Sequence, residues 1–334
     1  MKLKGNTVLV TGGGSGIGFE LAKRLVDLGN TVIITGRNMA KLEKAKQLIP
    51  GVHVYQVDVA DPNSIAQLYE QVIKAFPALN MLVNNAGIML TLNLQDKNLE
   101  KTDMTSEIDI NLKGPMRMVQ KFLPHLKTKS ESAIMNVSSG LAFVPLASSP
   151  VYCATKAGLH SYTQSLRVQL KETNVKVFEL APPATKTELL GDFEPKGITI
   201  MSVEKMVETA IQGLQNDQFE ICPGQSSQLR MMSRLAPKFI LGQMSNTQLK
   251  LGQMVQSYRQ KAGLTQMELA KRLGYSTPQF VSIMERGEGK IPLSTVGSLI
   301  KILRLPEGEI FDILLDTYKN QIKKEIRAGK KALA

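Results

Sequence analysis

"NTVLVTGGGSGIG", residues 6–18, decides the fold of the first part of the chain. It opens as a short β-branched run and ends as a turn built on Gly12, Gly16 and Gly18, with Ser15 and Ile17 between them. The following "FELAKRLVDLG" places Leu21, Leu25 and Leu28 at helical spacing, with Gly29 as a stop. A strand, a glycine turn and a helix in that order make a cradle for phosphate. Free N–H groups and the positive end of the helix dipole face the anion. Gly12 permits the tight turn, Gly16 lets the backbone approach a pyrophosphate, and Gly18 lets the helix lie close to the strand.

The pattern repeats outward from this stretch. "TVIITG", "VHVYQVDV", "LNMLVNNAG", "SAIMNVSS", "VKVFELAPP" and "FEICPG" read as further strands separated by helical patterns. Continuous Val, Ile and Leu runs between helices predict a parallel sheet covered on both faces. Right-handed crossovers then bring the loops after the strands to one edge. The fold class is therefore α/β, a Rossmann-type doubly wound parallel sheet over residues 1–245, followed by a small all-α helix-turn-helix domain over 248–316 and a basic tail over 317–334.

Composition agrees with a large globular domain joined to a small one: 334 residues, 43% hydrophobic and 21% charged. The formal net charge is +12, and residues 248–334 hold 15 Lys or Arg against 8 Asp or Glu. The positive excess is thus densest in the last third, where phosphate would welcome it. Two cysteines without paired spacing exclude a disulfide scaffold, and the three histidines show no metal spacing. We read His53, His125 and His160 as structural or surface residues. The start of the chain reads as a strand, not a signal peptide, and no run of ~18 apolar residues predicts a membrane span. A cytoplasmic location is expected. The amphipathic stretch Leu229–Met244 is expected to pack on its own domain rather than on a membrane.

"TGGGSGIG", "VDV", "NNAG", "IDINLKG", "NVSSG" and "YCATK" occur in the order found in the short-chain dehydrogenase/reductases, which residues 1 to about 245 resemble. "LRMMSRLAPKFI" resembles a subgroup of bacterial oxidoreductases. The resemblance implies that Asn111, Ser139, Tyr152 and Lys156 are catalytic. Tyr152 and Lys156 are four apart and share a helix face. A lysine cation and an oxidised nicotinamide are expected to lower the phenol's pKa from near 10, so that Tyr152 exchanges a proton with a carbonyl or alcohol oxygen. Ser139 would hold the same oxygen, Lys156 the nicotinamide ribose, and Asn111 a water on the proton path from a kinked helix. Gly12, Ser15, Gly16, Ile17, Gly18, Arg37, Asp58, Asn84, Ala86, Gly87, Tyr152, Lys156, Pro182, Thr185 and Thr187 would contact the cofactor, Asp58 through the adenine amino group.

Cofactor choice is read after the second strand. Gly36 and Arg37 stand where NAD binders place an acid for the ribose 2′-hydroxyl, so NADP(H) is expected over NAD(H). Pro183 stands where the family commonly has glycine. Met89, Leu141, Pro145, Leu146, Leu190 and Phe193 are expected to line the substrate pocket, favouring a small apolar carbonyl or alcohol.

Beyond residue 247 the strands stop. Leu251, Val255 and Tyr258 form one stripe, and Thr265 with Glu268 makes a capping box. Thr277 reads as a cap before Pro278, with Val281 and Met284 facing inward. Two further helices are read on Val296, Leu299, Ile300 and Leu303, and on Ile310, Phe311, Leu314 and Leu315. The segment resembles the phage-repressor-like (Xre/Cro type) DNA-binding domain. That resemblance implies double-stranded DNA as partner, read by Thr277, Gln279, Ser282, Ile283 and Arg286, with Gln266 on backbone phosphate. Ile283 is a departure, since related sequences often have a polar residue there. The whole reads as an NADP(H)-dependent oxidoreductase fused to a sequence-specific DNA-binding domain, expected as a homodimer or homotetramer through Asp103–Leu123 and Tyr152–Leu170. Two alternatives stay open: the helical domain docks a protein, or the chain senses NADP(H) without turnover.

Overall fold

β1 (Thr7–Thr11) is buried along its whole length and pairs in parallel on both edges. Its neighbours are β2 (Thr31–Gly36) and β4 (Leu79–Asn84). β3 (His53–Gln56) extends the sheet past β2, and β5 (Ser132–Val137), β6 (Val175–Leu180) and β7 (Glu220–Ile221) extend it past β4. The order is β3-β2-β1-β4-β5-β6-β7, all parallel, so the chain reverses direction across the sheet between β1 and β4. Ligand crevices form at such a switch point, outside the carboxyl ends of the strands. The inner strands β1, β2, β4, β5 and β6 are those that continuous apolar runs indicate, because they are buried on both faces, whereas the edge strand β3 has no buried residue.

The computed structural model describes residues 1–94, 99, 102–190, 200–237, 240–241, 247–287, 291–311 and 313–314. Phe193, Leu315 and the 317–334 tail lie outside them. The chain divides into two compact units, with the boundary between residues 242 and 243.

In the first unit, α1 (Gly16–Asp27) and α2 (Met39–Leu48) cover one face of the sheet with α7 (Val203–Gln215). The other face carries α3 (Pro62–Ala75), α5 (Gly114–Leu126) and α6 (Pro150–Gln169). α5 is preceded by α4 (Ser106–Ile108) and a π-helical turn, Asp109–Lys113. Such turns insert a residue into the helical ladder and re-aim side chains. α8 (Gln225–Leu235) packs its Ser226 and Leu229 onto Gly140. Met231 and Leu235, on the same helix, are exposed. No described helix is long and apolar enough to cross a membrane.

In the second unit, α9 (Thr247–Lys261), α10 (Gln266–Arg272), α11 (Gln279–Glu285) and α12 (Leu293–Leu303) enclose a core that includes Leu251, Val255, Leu269, Val281, Met284 and Leu299. α9 passes so close to α11 that a Cβ on Gly252 would lie 2.2 Å from the Met284 carbonyl oxygen. The Thr265–Glu268 capping box is present: Glu268 N–H donates to Thr265 Oγ1 at 3.2 Å and Thr265 N–H to Glu268 Oε2 at 2.7 Å. Two expectations fail here. Pro278, not Thr277, is the α11 N-cap and makes no side-chain cap, because the helix starts one residue later than its proline suggests. Phe311 is 65% exposed while its neighbour Ile310 is buried, so only Ile310 of that pair joins the core.

Candidate functional site

The glycine turn carries out what its spacing promises. Gly12 has φ +67°, and a Cβ there would lie 2.8 Å from Ala86 Cα. Gly18 could hold no Cβ either: Asn85 Nδ2 and the Gly12 carbonyl oxygen would each be 2.4 Å away. Asn85 fastens the loop by donating to the carbonyls of Thr11 at 3.0 Å and Gly12 at 3.1 Å. Asn84, read as a cofactor contact, instead turns into the sheet and donates to Asn136 Oδ1 at 2.8 Å. Of "NNAG", the second asparagine holds the cradle and the first ties β4 to β5.

A groove of about 160 Å³ opens beside this turn, lined among others by Gly12, Arg37, Asp58, Ala86 and Gly87. Asp58 Oδ1 accepts from Ala60 N–H at 2.9 Å, which fixes the carboxylate on the groove wall. Arg37 is exposed there. Ser15 is the N-cap of α1, yet its hydroxyl caps nothing in the helix. It donates to Glu188 Oε2 at 3.4 Å, and Lys41 Nζ donates to the same oxygen at 2.6 Å. The first turn of α1 has no acid of its own. The carboxylate at its mouth thus arrives from the loop after β6 and stands where a phosphate oxygen would be attracted. Thr187, in the same loop, would touch a Cβ on Gly16 at 3.2 Å. Thr185 Oγ1 donates to Pro183 O at 2.9 Å, and the Pro182 carbonyl accepts from Gly140 N–H at 2.8 Å.

Asn111, Ser139, Tyr152 and Lys156 meet at the end of β5. Asn111 lies in the π-helical turn and is fully buried. It holds Ile88 by both backbone groups, accepting from N–H at 2.9 Å and donating to the carbonyl at 2.8 Å. A Cβ on Gly87 would lie 3.2 Å from Asn111 Oδ1 and 3.6 Å from Lys156 Nζ. Lys156 Nζ donates to Val137 O at 2.8 Å and sits 5.6 Å from the centre of the Tyr152 ring. The Ser139 hydroxyl, which accepts from Leu141 N–H at 3.1 Å, lies near enough to the Tyr152 phenol to hold its pKa down.

Without the nicotinamide, the electrostatics favour the protonated phenol. Burial pushes the Tyr152 phenol up to about 12, with only the Ser139 hydroxyl opposing it. Burial also brings Lys156 down to about 8. The lysine therefore does not acidify the phenol in the free site; desolvation outweighs it. Lys156 holds its ammonium below pH ~8 and loses it above. We expect kcat/KM for NADPH, which reports free-enzyme groups, to fall above pH ~8, about tenfold per pH unit. Lys156→Arg should flatten that limb; a profile unchanged by the substitution would assign the limb elsewhere.

Glu107, missed in the sequence, is fully buried beside this cluster. Its Oε1 accepts from Leu90 N–H at 2.8 Å, Oε2 has no partner, and burial raises its pKa. Of the residues read as substrate pocket, Met89, Leu141, Leu146 and Leu190 are half-buried and Pro145 is exposed. No His, Cys, Asp and Glu group that could hold a metal occurs among the described residues.

In the second unit, Gln279, Ile283 and Arg286 are exposed and Ser282 is half-buried, so α11 presents them on one outer face. Arg286 donates to Ser282 Oγ. Thr277 is exposed before the helix. Gln266 is engaged inside the unit: its Nε2 donates to Glu285 Oε2 at 2.8 Å. Glu285 also receives Arg259, whose Nε lies 2.5 Å from Oε1.

With this cradle, groove and four-residue cluster, the chain belongs to the short chain dehydrogenase family, whose model matches residues 6–197. A helix-turn-helix domain model matches residues 250–310. Among similar proteins is the "Uncharacterized oxidoreductase DltE" of Bacillus subtilis, 46% identical over 251 residues, covering 74% of this chain and 99% of that protein. An oxidoreductase of Staphylococcus epidermidis is 37% identical over 189 residues, covering 56% of this chain and 81% of its own. Among solved structures, the 3-ketoacyl-(acyl-carrier-protein) reductase from Brucella melitensis complexed with NADH is 29% identical with TM-score 0.58, over 63% of this chain and 91% of that one. A short chain dehydrogenase from Burkholderia cenocepacia in complex with NADP shares the fold, with TM-score 0.65, 23% identity, and coverage of 73% of this chain and 99% of that one. The chain is thus an oxidoreductase of this family carrying a C-terminal helix-turn-helix domain.

Proposed function

We propose that the first unit is an NADP(H)-dependent reductase interconverting an apolar carbonyl compound and its alcohol. The observation that carries it is that Asn111 and Lys156 close on Gly87, which also lines the groove beside Gly12, while Lys156 sits 5.6 Å from the Tyr152 ring and Tyr152 lies beside Ser139. When bound, the nicotinamide supplies or takes the hydride. The chain's part is to hold and move the proton. Tyr152 Oη carries it at neutral pH, since burial keeps the phenol protonated. Ser139 orients the same oxygen, and Lys156 stands by with its ammonium fixed on Val137 O. Incubating the full chain with NADPH and either 4-nitrobenzaldehyde or 2-decanone, and following loss of NADPH absorbance, tests the reading. No consumption with either would count against it.

Arg37, Ser15 and Lys41 support the 2′-phosphated cofactor. All three are cationic or hydroxyl donors near the mouth of α1, and Glu188 already draws two of them. Glu188→Gln removes a competing anion. NADPH should bind about two- to fivefold tighter, the scale of an exposed ion pair, and NADH should gain less, because the pyrophosphate is common to both and only NADPH also uses the freed Lys41. Equal gains for both cofactors would place Glu188 away from the 2′-phosphate.

For the second unit we propose double-stranded DNA, contacted by Gln279, Ser282, Ile283 and Arg286 on the outer face of α11, with Thr277 at its approach. Its support is that face and the basic excess of the segment. With one Gln266 Nε2 proton given to Glu285, the other N–H and the α10 backbone N–H groups would meet the phosphate. Arg286→Ala should weaken a selected operator by about 5- to 150-fold, and much less a random duplex. Equal losses on both would make Arg286 a phosphate contact. A second reading, protein docking, is favoured by the exposed Met267 and Ile283; binding that does not weaken with salt, on protein rather than duplex, would select it. We further propose a two-fold dimer of the first unit in the cytoplasm, which would present two reading helices.

A further inference from the structure

Glu179 places a carboxylate in the body of a parallel sheet. It lies in β6 between Phe178 and Leu180, which are fully buried, and is itself 1% exposed. A carboxylate survives there only with both oxygens partnered. Ser138 Oγ donates to Oε1 at 2.5 Å, and His160 Nδ1 lies 2.8 Å from Oε2. Neither partner is in the proposed chemistry, but each adjoins it. Ser138 precedes Ser139. His160 is one turn beyond Lys156, which is one turn beyond Tyr152, so the three share a face of α6.

The result is a set of ties between three turns of one helix and three consecutive residues of one strand end. Lys156 holds the Val137 carbonyl, His160 reaches Ser138 through Glu179, and the Tyr152 phenol lies beside Ser139, whose hydroxyl lowers its pKa. The His160 ring also meets Phe143 edge-on, with centroids 5.1 Å apart, at the end of the turn that follows Ser139. Backbone bonds from Ser138 N–H to Leu180 O and from Gly140 N–H to Pro182 O, each 2.8 Å, hold the same segment to the end of β6. We infer that Glu179 is a positioning residue: by joining Ser138 to His160 it sets the separation of the Ser139 hydroxyl and the Tyr152 phenol. The inference rests on the reductase reading above.

Glutamine at 179 keeps the volume and one acceptor but turns the second oxygen into a donor, so one tie weakens without opening a cavity. Glu179→Gln and Ser138→Ala are made in the full chain. NADPH affinity is read from its fluorescence, kcat and KM with 4-nitrobenzaldehyde and 2-decanone, and folding by thermal unfolding. Each variant should lose about tenfold in kcat, the low side of what misplacing a catalytic group costs, with KM and NADPH affinity within about twofold. The double variant should be no worse than the singles. In a Ser139→Ala background Glu179→Gln should add less than about twofold, because its effect needs the hydroxyl it positions. The same tenfold loss in that background, or unchanged kcat in both single variants, overturns the inference. Should Glu179→Gln not fold, Ser138→Ala carries the same comparison. A wild-type chain inert toward both probes removes the reductase reading and the inference with it. An active wild type with insensitive variants removes the inference alone.

Discussion

Tyr152→Phe is expected to slow carbonyl reduction by about 10²–10⁴-fold, the usual contribution of a positioned general acid, with NADPH binding within about twofold of wild type. The substitution deletes one oxygen and keeps the ring. Tyr152 is 6% exposed, so the ring's packing survives and the fold should too. What disappears is the hydroxyl that lies beside Ser139 and is flanked by Lys156. Because burial pushes the phenol up to about 12, it is a proton donor in waiting at neutral pH. Reduction needs that form; alcohol oxidation needs the phenolate. Oxidation should therefore rise with pH over the range in which reduction is already falling. Steady-state rates in both directions, with separate NADPH titration, check this. Undiminished reduction by the phenylalanine variant would remove the assigned proton donor.

The second large effect concerns the other unit. Arg259→Ala should unfold most of it while leaving the reductase intact. Arg259 is bound to Glu285 by Nε at 2.5 Å and Nη2 at 3.1 Å, and to Leu264 O by Nη1 at 2.6 Å. The two side chains are only 10% and 2% exposed. Removing the cation strands a buried carboxylate, at a cost of about 3–5 kcal/mol. The helix-turn-helix part of that unit, residues 250–310, has only about 3–9 kcal/mol of stability to lose. Calorimetry on the full chain should show the lower transition vanish and the other remain, with duplex binding lost and NADPH consumption kept. A single transition that shifts as a whole would mean the two units do not fold separately.

These two sites differ in how they were written in the sequence. The glycine cradle was legible because turn geometry is local: Gly12 takes a positive φ, and Gly18 sits where no Cβ fits. The strands were legible because burial on both faces leaves uninterrupted apolar runs. That Tyr152 and Lys156 share one helix face was legible from their four-residue spacing, while their role came only with the family resemblance. The glutamates were not. Glu179 finds its partners 41 and 19 positions away, and Glu188 finds Ser15 173 positions away. Glu285 meets Arg259 26 positions off. No local pattern tells such an acid from a solvated one. The tie that Asn85 makes to the glycine turn was not legible either, because its partners Thr11 and Gly12 lie 74 and 73 positions away. The upward push on the phenol in the free site was not legible, because desolvation depends on the surrounding volume, which spacing does not record.

The most direct measurement is label transfer. NADPH carrying deuterium at both C4 positions is incubated with the full chain and 4-nitrobenzaldehyde or 2-decanone, and the alcohol is analysed by mass spectrometry. The account predicts one deuterium on the carbinol carbon with the wild-type chain, and almost none over the same time with Tyr152→Phe. NADPH binding without any labelled alcohol from either carbonyl, or equal labelling by the variant, would contradict it.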